Sequence, residues 1–187
     1  MDKVIYLSNP TWANHKSIFA QLGIKTIDYP YYDKKTIGLD FDGFYKMLES
    51  APEASVFLLH ACAHNPTGVD PTREQWKKIA EVFTRRKLFA FFDCAYQGFA
   101  SGDLDNDGWT VRYFAEQNIP LLVCQSFAKN AGLYGERIGA LHVTGKDENE
   151  AKSILSQLSV LLRAEISNPP TFGARIVSHC VSFWIQG

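Results

Sequence analysis

Short apolar runs, separated by stretches of helical period, leave this sequence few architectures to choose from. The runs lie at residues 4–7, 25–29 (the weakest), 55–59, 88–92, 121–125 and 138–143. Some, such as Phe89-Ala90-Phe91-Phe92, are apolar at every position. A strand of that kind is buried on both faces, and with helices between such strands the sheet is parallel and covered on both sides. The expected fold is therefore α/β, a mostly parallel sheet with helices on both faces.

The helices have their own signals. Residues 42–49 form a short helix ended by Pro52, and Thr72 with Gln75 reads as a capping box. Trp76, Ile79, Ala80 and Phe83 then stripe one face. Residues 110–117 are helical, and Ala151, Ile154, Leu155, Leu158 and Leu162 stripe a long helix ending near Arg163. Asn168-Pro169-Pro170 breaks it, and another helix begins near Phe172. Loops are expected at Ser8-Asn9-Pro10-Thr11-Trp12 and at the turn Asn65-Pro66-Thr67-Gly68.

Composition removes several classes of function. The chain has 187 residues, 46% hydrophobic and 21% charged, which suits a globular domain and not a disordered one. A formal net charge of -1 gives no reason to expect nucleic acid or a membrane as partner. No run nears the roughly 20 apolar residues of a membrane span, and the first ten residues lack a secretory apolar core. Cys62, Cys94, Cys124 and Cys180 are scattered, the first three in strand-like segments. Buried, reduced thiols and an intracellular, cytoplasmic setting are expected, an organelle remaining open. The chain stops inside the apolar run Phe183-Trp184-Ile185 and starts almost at a strand. Both ends suggest a piece of a longer protein, or a short product derived from one.

In parallel sheets ligands bind beyond the carboxyl ends of the strands, and polar residues gather there: His64 and Asn65, Asp93 and Tyr96, Ser126 and Lys129. Lys129 follows a buried-type strand in a loop of small residues; it is either a turn lysine or an amine kept reactive by dryness. Asp93 either caps a turn or pairs with a protonated pyridine nitrogen, keeping that ring an electron sink. Tyr96 and Asn65 are ordinary turn and half-buried residues, or donors to a ring oxygen. Trp12 is core filler or a stacking surface. Ser126 is either a turn residue or a hydroxyl for a phosphate, and Arg137 either a surface ion-pair residue or a bidentate guanidinium for that phosphate. Arg163 suits a helix end or a substrate carboxylate. His60, Cys62 and His64 alternate, so an extended strand would place them on one face; zinc is the weaker reading, since no fourth ligand is evident.

Taken together, these stretches resemble the aspartate aminotransferases, class I enzymes of fold-type I that use pyridoxal 5'-phosphate. The matching segments are Asn9-Pro10-Thr11-Trp12-Ala13-Asn14-His15, His60-Ala61-Cys62-Ala63-His64-Asn65-Pro66-Thr67-Gly68, Phe92-Asp93-Cys94-Ala95-Tyr96-Gln97-Gly98-Phe99-Ala100-Ser101-Gly102, Ser126-Phe127-Ala128-Lys129-Asn130, Gly132-Leu133-Tyr134-Gly135-Glu136-Arg137 and Ser167-Asn168-Pro169-Pro170. The resemblance implies a partial large, cofactor-binding domain over residues 1–170, with residues 171–187 starting the helix toward a small domain. It implies that Lys129 forms the Schiff base and then moves the proton between the substrate α-carbon and the cofactor. Asp93 would hold the ring nitrogen, with His15 behind it. Tyr96 and Asn65 would bind the phenolic oxygen, Trp12 would stack on the ring, and Ser126 and Arg137 would bind the phosphate. Trp12, Asn65 and Arg163 would meet the substrate, Arg163 across a homodimer interface. No metal is implied. The substrates would be amino acids and 2-oxo acids, with aspartate and 2-oxoglutarate giving oxaloacetate and glutamate. The Gly-rich phosphate segment upstream of Trp12 and the later arginine for the substrate α-carboxylate are missing. An inactive, cofactor-binding or interaction module is therefore the alternative, and decarboxylation of aspartate a third.

Overall fold

The computed structural model describes residues 3–185. In chain order the elements are β1 (Val4–Asn9), α1 (Ala13–Gln21), β2 (Lys25–Pro30), the small ribbon β3 (Tyr32–Asp33) with β4 (Gly38–Leu39), α2 (Phe41–Ser50), β5 (Val56–His60) and α3 (Arg73–Arg86). They continue with β6 (Phe89–Cys94), α4 (Leu104–Asp107), α5 (Trp109–Glu116), β7 (Leu121–Ser126), β8 (Gly139–Val143), α6 (Glu148–Glu165) and α7 (Thr171–Ile185). Residues 1, 2, 186 and 187 lie outside the described residues. Among those described, no helix is long and apolar enough to cross a membrane.

The six-stranded sheet has the order β2-β1-β5-β6-β7-β8. All neighbours pair in parallel except β7 and β8, which are antiparallel. The exception follows from the connection. Residues 127–138 hold only a 3-10 turn, Tyr134–Glu136, whereas a parallel return needs a longer crossover, usually a helix. The chain therefore leaves and re-enters the sheet at one rim, with Ser126 opposite Gly139. A Cβ at Gly139 would lie 2.6 Å from the Gln125 carbonyl oxygen, so the close approach at this corner requires glycine.

Helices cover both faces. On one, Tyr6, Phe57, Leu59, Phe92 and Val123 pack with residues of α2, α3 and α5, among them Phe44, Ile79, Phe83 and Phe114. On the other, Ile5, Leu7 and Leu58 pack with Phe19 of α1. Phe83 and Phe114 are fully buried, each stabilising the fold by about 1.5–3 kcal/mol. The α3 capping box is present: the Gln75 N–H donates to Thr72 Oγ1 at 3.2 Å and the Thr72 N–H to Gln75 Oε1 at 2.8 Å. Its predicted stripe, Trp76, Ile79, Ala80 and Phe83, is buried.

Between Trp12 and Lys25 the chain forms α1, which buries only His15 and Phe19, too narrow a stripe to show as a period. Along α6 no residue is buried and Leu155 is 66% exposed; among the described residues no other element covers its apolar stripe. Two expectations need correction. Cys124, expected to be buried with Cys62 and Cys94, is exposed. It lies on the side of β7 away from α3 and α5, in a cleft beside Asp93. Finally, β5 ends at His60 and the chain bends over residues 61–63, so His60, Cys62 and His64 do not share a strand face.

Candidate active site

The parallel strands β5, β6 and β7 are adjacent, with His60 opposite Asp93 and Asp93 opposite Cys124. Their carboxyl ends therefore form one rim, and the loops beyond it carry Asn65, Tyr96 and Lys129 close together. The Asn65 Nδ2 donates to the Tyr96 hydroxyl at 3.4 Å. The Lys129 Nζ lies 4.9 Å from the centre of the Tyr96 ring and 5.7 Å from that of Tyr134. Lys129, Tyr96 and Asn65 are all half-buried.

Asp93 is held from behind. His15, only 4% exposed, sits on α1 with its Nε2 3.0 Å from Asp93 Oδ2. The Thr11 hydroxyl lies 2.8 Å from His15 Nδ1 and 3.2 Å from His60 Nε2. The Asn65 backbone N–H donates to His60 Nδ1 at 3.2 Å. Burial first, and neighbouring His64 second, push the His60 imidazole down to about 3, so it is neutral at ordinary pH.

For a neutral His15 the direction of every bond then follows. Because His60 Nδ1 accepts, its proton is on Nε2 and goes to Thr11 Oγ1. Thr11 has one proton to give, and giving it to His15 Nδ1 leaves the His15 Nε2–H for Asp93. A backbone N–H in the Asn65 loop thus fixes, through two imidazoles and a hydroxyl, which proton faces the carboxylate.

Asp93, Cys124, Ser126, Ala128, Arg137 and Leu141 are among the residues lining an open cleft of about 410 Å3. The Ser126 Oγ accepts the Ala128 N–H at 3.2 Å, shaping the turn into Lys129. Arg137, at a left-handed φ of 53°, donates from Nη1 to the Tyr134 carbonyl at 2.8 Å. Trp12 is 40% exposed and meets His15 edge to face at 5.2 Å. Arg163 is exposed at the end of α6 and bonds Ser167 Oγ, apart from this group. The structure thus gathers Trp12, His15, Asn65, Asp93, Tyr96, Ser126, Lys129 and Arg137 around one rim and leaves Arg163 outside it.

Sequence reasoning missed Thr11 and assigned His60 no part at this rim. His64 is 1% exposed, with Nε2 2.9 Å from Ser8 Oγ and Nδ1 2.8 Å from Thr67 Oγ1. Its ring stacks on Tyr31 at 3.9 Å, and burial pushes its imidazole down to about 4. It stiffens the Asn65 turn and has no place in a metal cage.

Known proteins share this framework. The chain is 53% identical over 180 residues to the mitochondrial aspartate aminotransferase of Schizosaccharomyces pombe, covering 96% of this chain and 41% of that protein. It is 55% identical over 175 residues to the cytoplasmic aspartate aminotransferase of Gallus gallus, covering 93% of this chain and 42% of that one. The solved aromatic-amino-acid aminotransferase of Burkholderia pseudomallei, covalently bound to pyridoxal phosphate, superimposes with a TM-score of 0.92 at 43% identity, covering 95% of this chain and 44% of that one. The chain therefore spans under half the length of these relatives. The sequence pattern of the aminotransferase class I and II family runs over residues 1–185, and the chain belongs to that family.

Proposed function

We propose that this protein is a pyridoxal-phosphate-dependent aspartate aminotransferase, moving an amino group from L-aspartate to 2-oxoglutarate to give oxaloacetate and L-glutamate. The observation that carries the proposal is the rim itself, where an oriented carboxylate, a donor pair and an amine come from the ends of adjacent strands. The donor set fits the cofactor part by part. Asp93 suits a ring cation, and Asn65 with Tyr96 suits a ring oxygen. Ser126 and Arg137 suit a phosphate, and Lys129 suits an aldehyde. When bound, pyridoxal phosphate supplies an electron sink for the bonds of the substrate α-carbon.

The chain's own residues supply the rest. The His15 Nε2–H, aimed at Asp93 Oδ2, would hold that carboxylate in place to meet the ring nitrogen. Tyr96 and Asn65 share one hydrogen bond and present donors together. Trp12, exposed beside His15, would cover one ring face and keep water away. Lys129 Nζ would move the proton from the substrate α-carbon, a role worth roughly 10²–10⁴ in rate. Arg163 would recognise the side-chain carboxylate of aspartate from a second copy of the chain. The exposed Leu155, Leu161 and Leu162 of α6 support such a homodimer. Cytoplasm and organelle both accord with the named relatives, one mitochondrial and one cytoplasmic.

The test is borohydride reduction of the purified protein with pyridoxal phosphate, followed by peptide mapping and by an assay of oxaloacetate formed from aspartate and 2-oxoglutarate. Label on Lys129 with turnover is expected. Label without turnover would leave a cofactor-binding module, and no label at Lys129 would overturn the assignment.

A further inference from the structure

The contact between Asn65 and Tyr96 joins side chains from separate loops, and each loop is tied down by a buried or half-buried carboxylate that the mechanism does not use. Asp107, at the end of α4 and only 5% exposed, accepts the backbone N–H groups of Gly98 at 2.8 Å, Ala100 at 3.0 Å and Ser101 at 3.1 Å. It also accepts the Ser101 hydroxyl at 2.6 Å. These donors follow Tyr96 directly, and the Tyr96 carbonyl closes the same turn by accepting the Phe99 N–H at 2.9 Å. Gly98 has φ +94°, and a Cβ there would meet Leu104 of α4 at 3.0 Å, so the loop is wrapped tightly around the acid.

The Asn65 loop repeats the device. Asp70 Oδ2 accepts the Ala63 N–H at 2.6 Å and Oδ1 the His64 N–H at 2.9 Å, immediately before Asn65. The two acids line one cavity of about 190 Å3, with Cys62 and Thr110. Taking carboxylates out of water is costly. Burial first, with Asp107 adding to it, lifts the Asp70 carboxyl above its usual range against the pull of its two backbone bonds. Ionised acceptors make stronger bonds than neutral ones, and here those bonds converge on the residues flanking Asn65 and Tyr96.

We propose that Asp70 and Asp107 are positioning residues, each anchoring one loop so that the Asn65 amide and the Tyr96 hydroxyl meet as a pair. That the pair serves a cofactor ring oxygen rests on the function proposed above; that the acids set the contact does not.

The test has two arms. In the cofactor-free chain, ¹³Cζ-tyrosine NMR, with the Tyr96 signal assigned by its loss in Tyr96→Phe, should show that signal displaced in Asp107→Asn and in Asp70→Asn. With pyridoxal phosphate, Asp107→Asn should weaken binding roughly 3- to 10-fold, the worth of one misaligned hydrogen bond. It should add nothing further in a Tyr96→Phe background. If Asp107→Asn loses its circular dichroism, Ser101→Ala, which removes the hydroxyl's bond to Asp107 and its contacts with Asp103 but leaves the backbone bonds to Asp107, should shift the same signal by less. An unmoved Tyr96 signal in folded variants overturns the inference. So does a loss of binding that adds fully to that of Tyr96→Phe. A wild-type chain with no adduct at Lys129 overturns the cofactor assignment and leaves the first arm to judge the acids.

Discussion

His15 Nε2 lies 3.0 Å from Asp93 Oδ2, and the proton it presents there is set by Thr11 rather than by His15 itself. Thr11→Val keeps the side-chain volume but removes the hydroxyl that accepts from one imidazole and donates to the other. It should destabilise the fold by about 1–3 kcal/mol, the cost of leaving buried polar groups unpaired. Thr11→Ser should restore most of this. Urea unfolding of the three forms measures it, and equal midpoints for Val and wild type would show that the hydroxyl bridges nothing.

The two buried imidazoles predict acid sensitivity with a definite sign. His60 and His64 have folded values of about 3 and about 4, below the ordinary 6.5. Below pH 6.5 the unfolded chain binds protons that the folded chain refuses. Their contribution is therefore whole above that pH and falls away as pH drops toward the folded values. Midway, each imidazole tilts stability by about 1.4 kcal/mol per pH unit. Asp70, shifted upward, tilts the opposite way at the acid end of the window. Unfolding free energies between pH 4.5 and 7.5 should rise with pH, and His64→Gln should flatten the slope by about one proton. A slope unchanged by that substitution would refute the assignment.

What the sequence disclosed and what it hid divide by range. The strands and the Thr72–Gln75 cap were legible because a run of apolar residues, or a pair three positions apart, is a local signal. Lys129, Asp93 and Asn65 were legible because each closes or follows such a run. Thr11 was not: its partner His60 is 49 positions away, and nothing near Thr11 announces that partner. Asp107 and Asp70 carry no such signal, since the backbone groups they hold have no signature in side-chain identity. The α6 stripe was legible as an apolar helix face, because period reports such a face, though not what covers it.

Arg163 separates substrate recognition from the chemistry at Lys129. It stands apart from the rim, bonded to Ser167, so Arg163→Leu should leave pyridoxal phosphate binding and the Lys129 adduct intact. In the active protein it should lower kcat/KM for aspartate by roughly 10²-fold or more, the loss of a charge-assisted bond to a carboxylate, while amino acids with uncharged side chains change little. Steady-state kinetics with aspartate and phenylalanine decides; an equal loss for both would remove Arg163 from substrate recognition.

The contrast between α3 and α6 gives the last prediction. Phe83 is fully buried beneath the sheet and meets Phe57 and Phe114 edge to face, with ring centres at 5.9 Å and 5.4 Å. Phe83→Ala leaves a cavity that such neighbours cannot close, costing about 3–5 kcal/mol. Leu161, equally apolar, is 59% exposed on α6. In this chain Leu161→Glu should change the unfolding free energy by no more than about 0.5 kcal/mol, as surface substitutions do. If α6 is covered by a second copy, the same glutamate would instead weaken association, because a charge would be taken from water without a partner. Denaturant unfolding with sedimentation at several concentrations distinguishes the two. A large loss of monomer stability in Leu161→Glu would mean that α6 packs against the sheet after all.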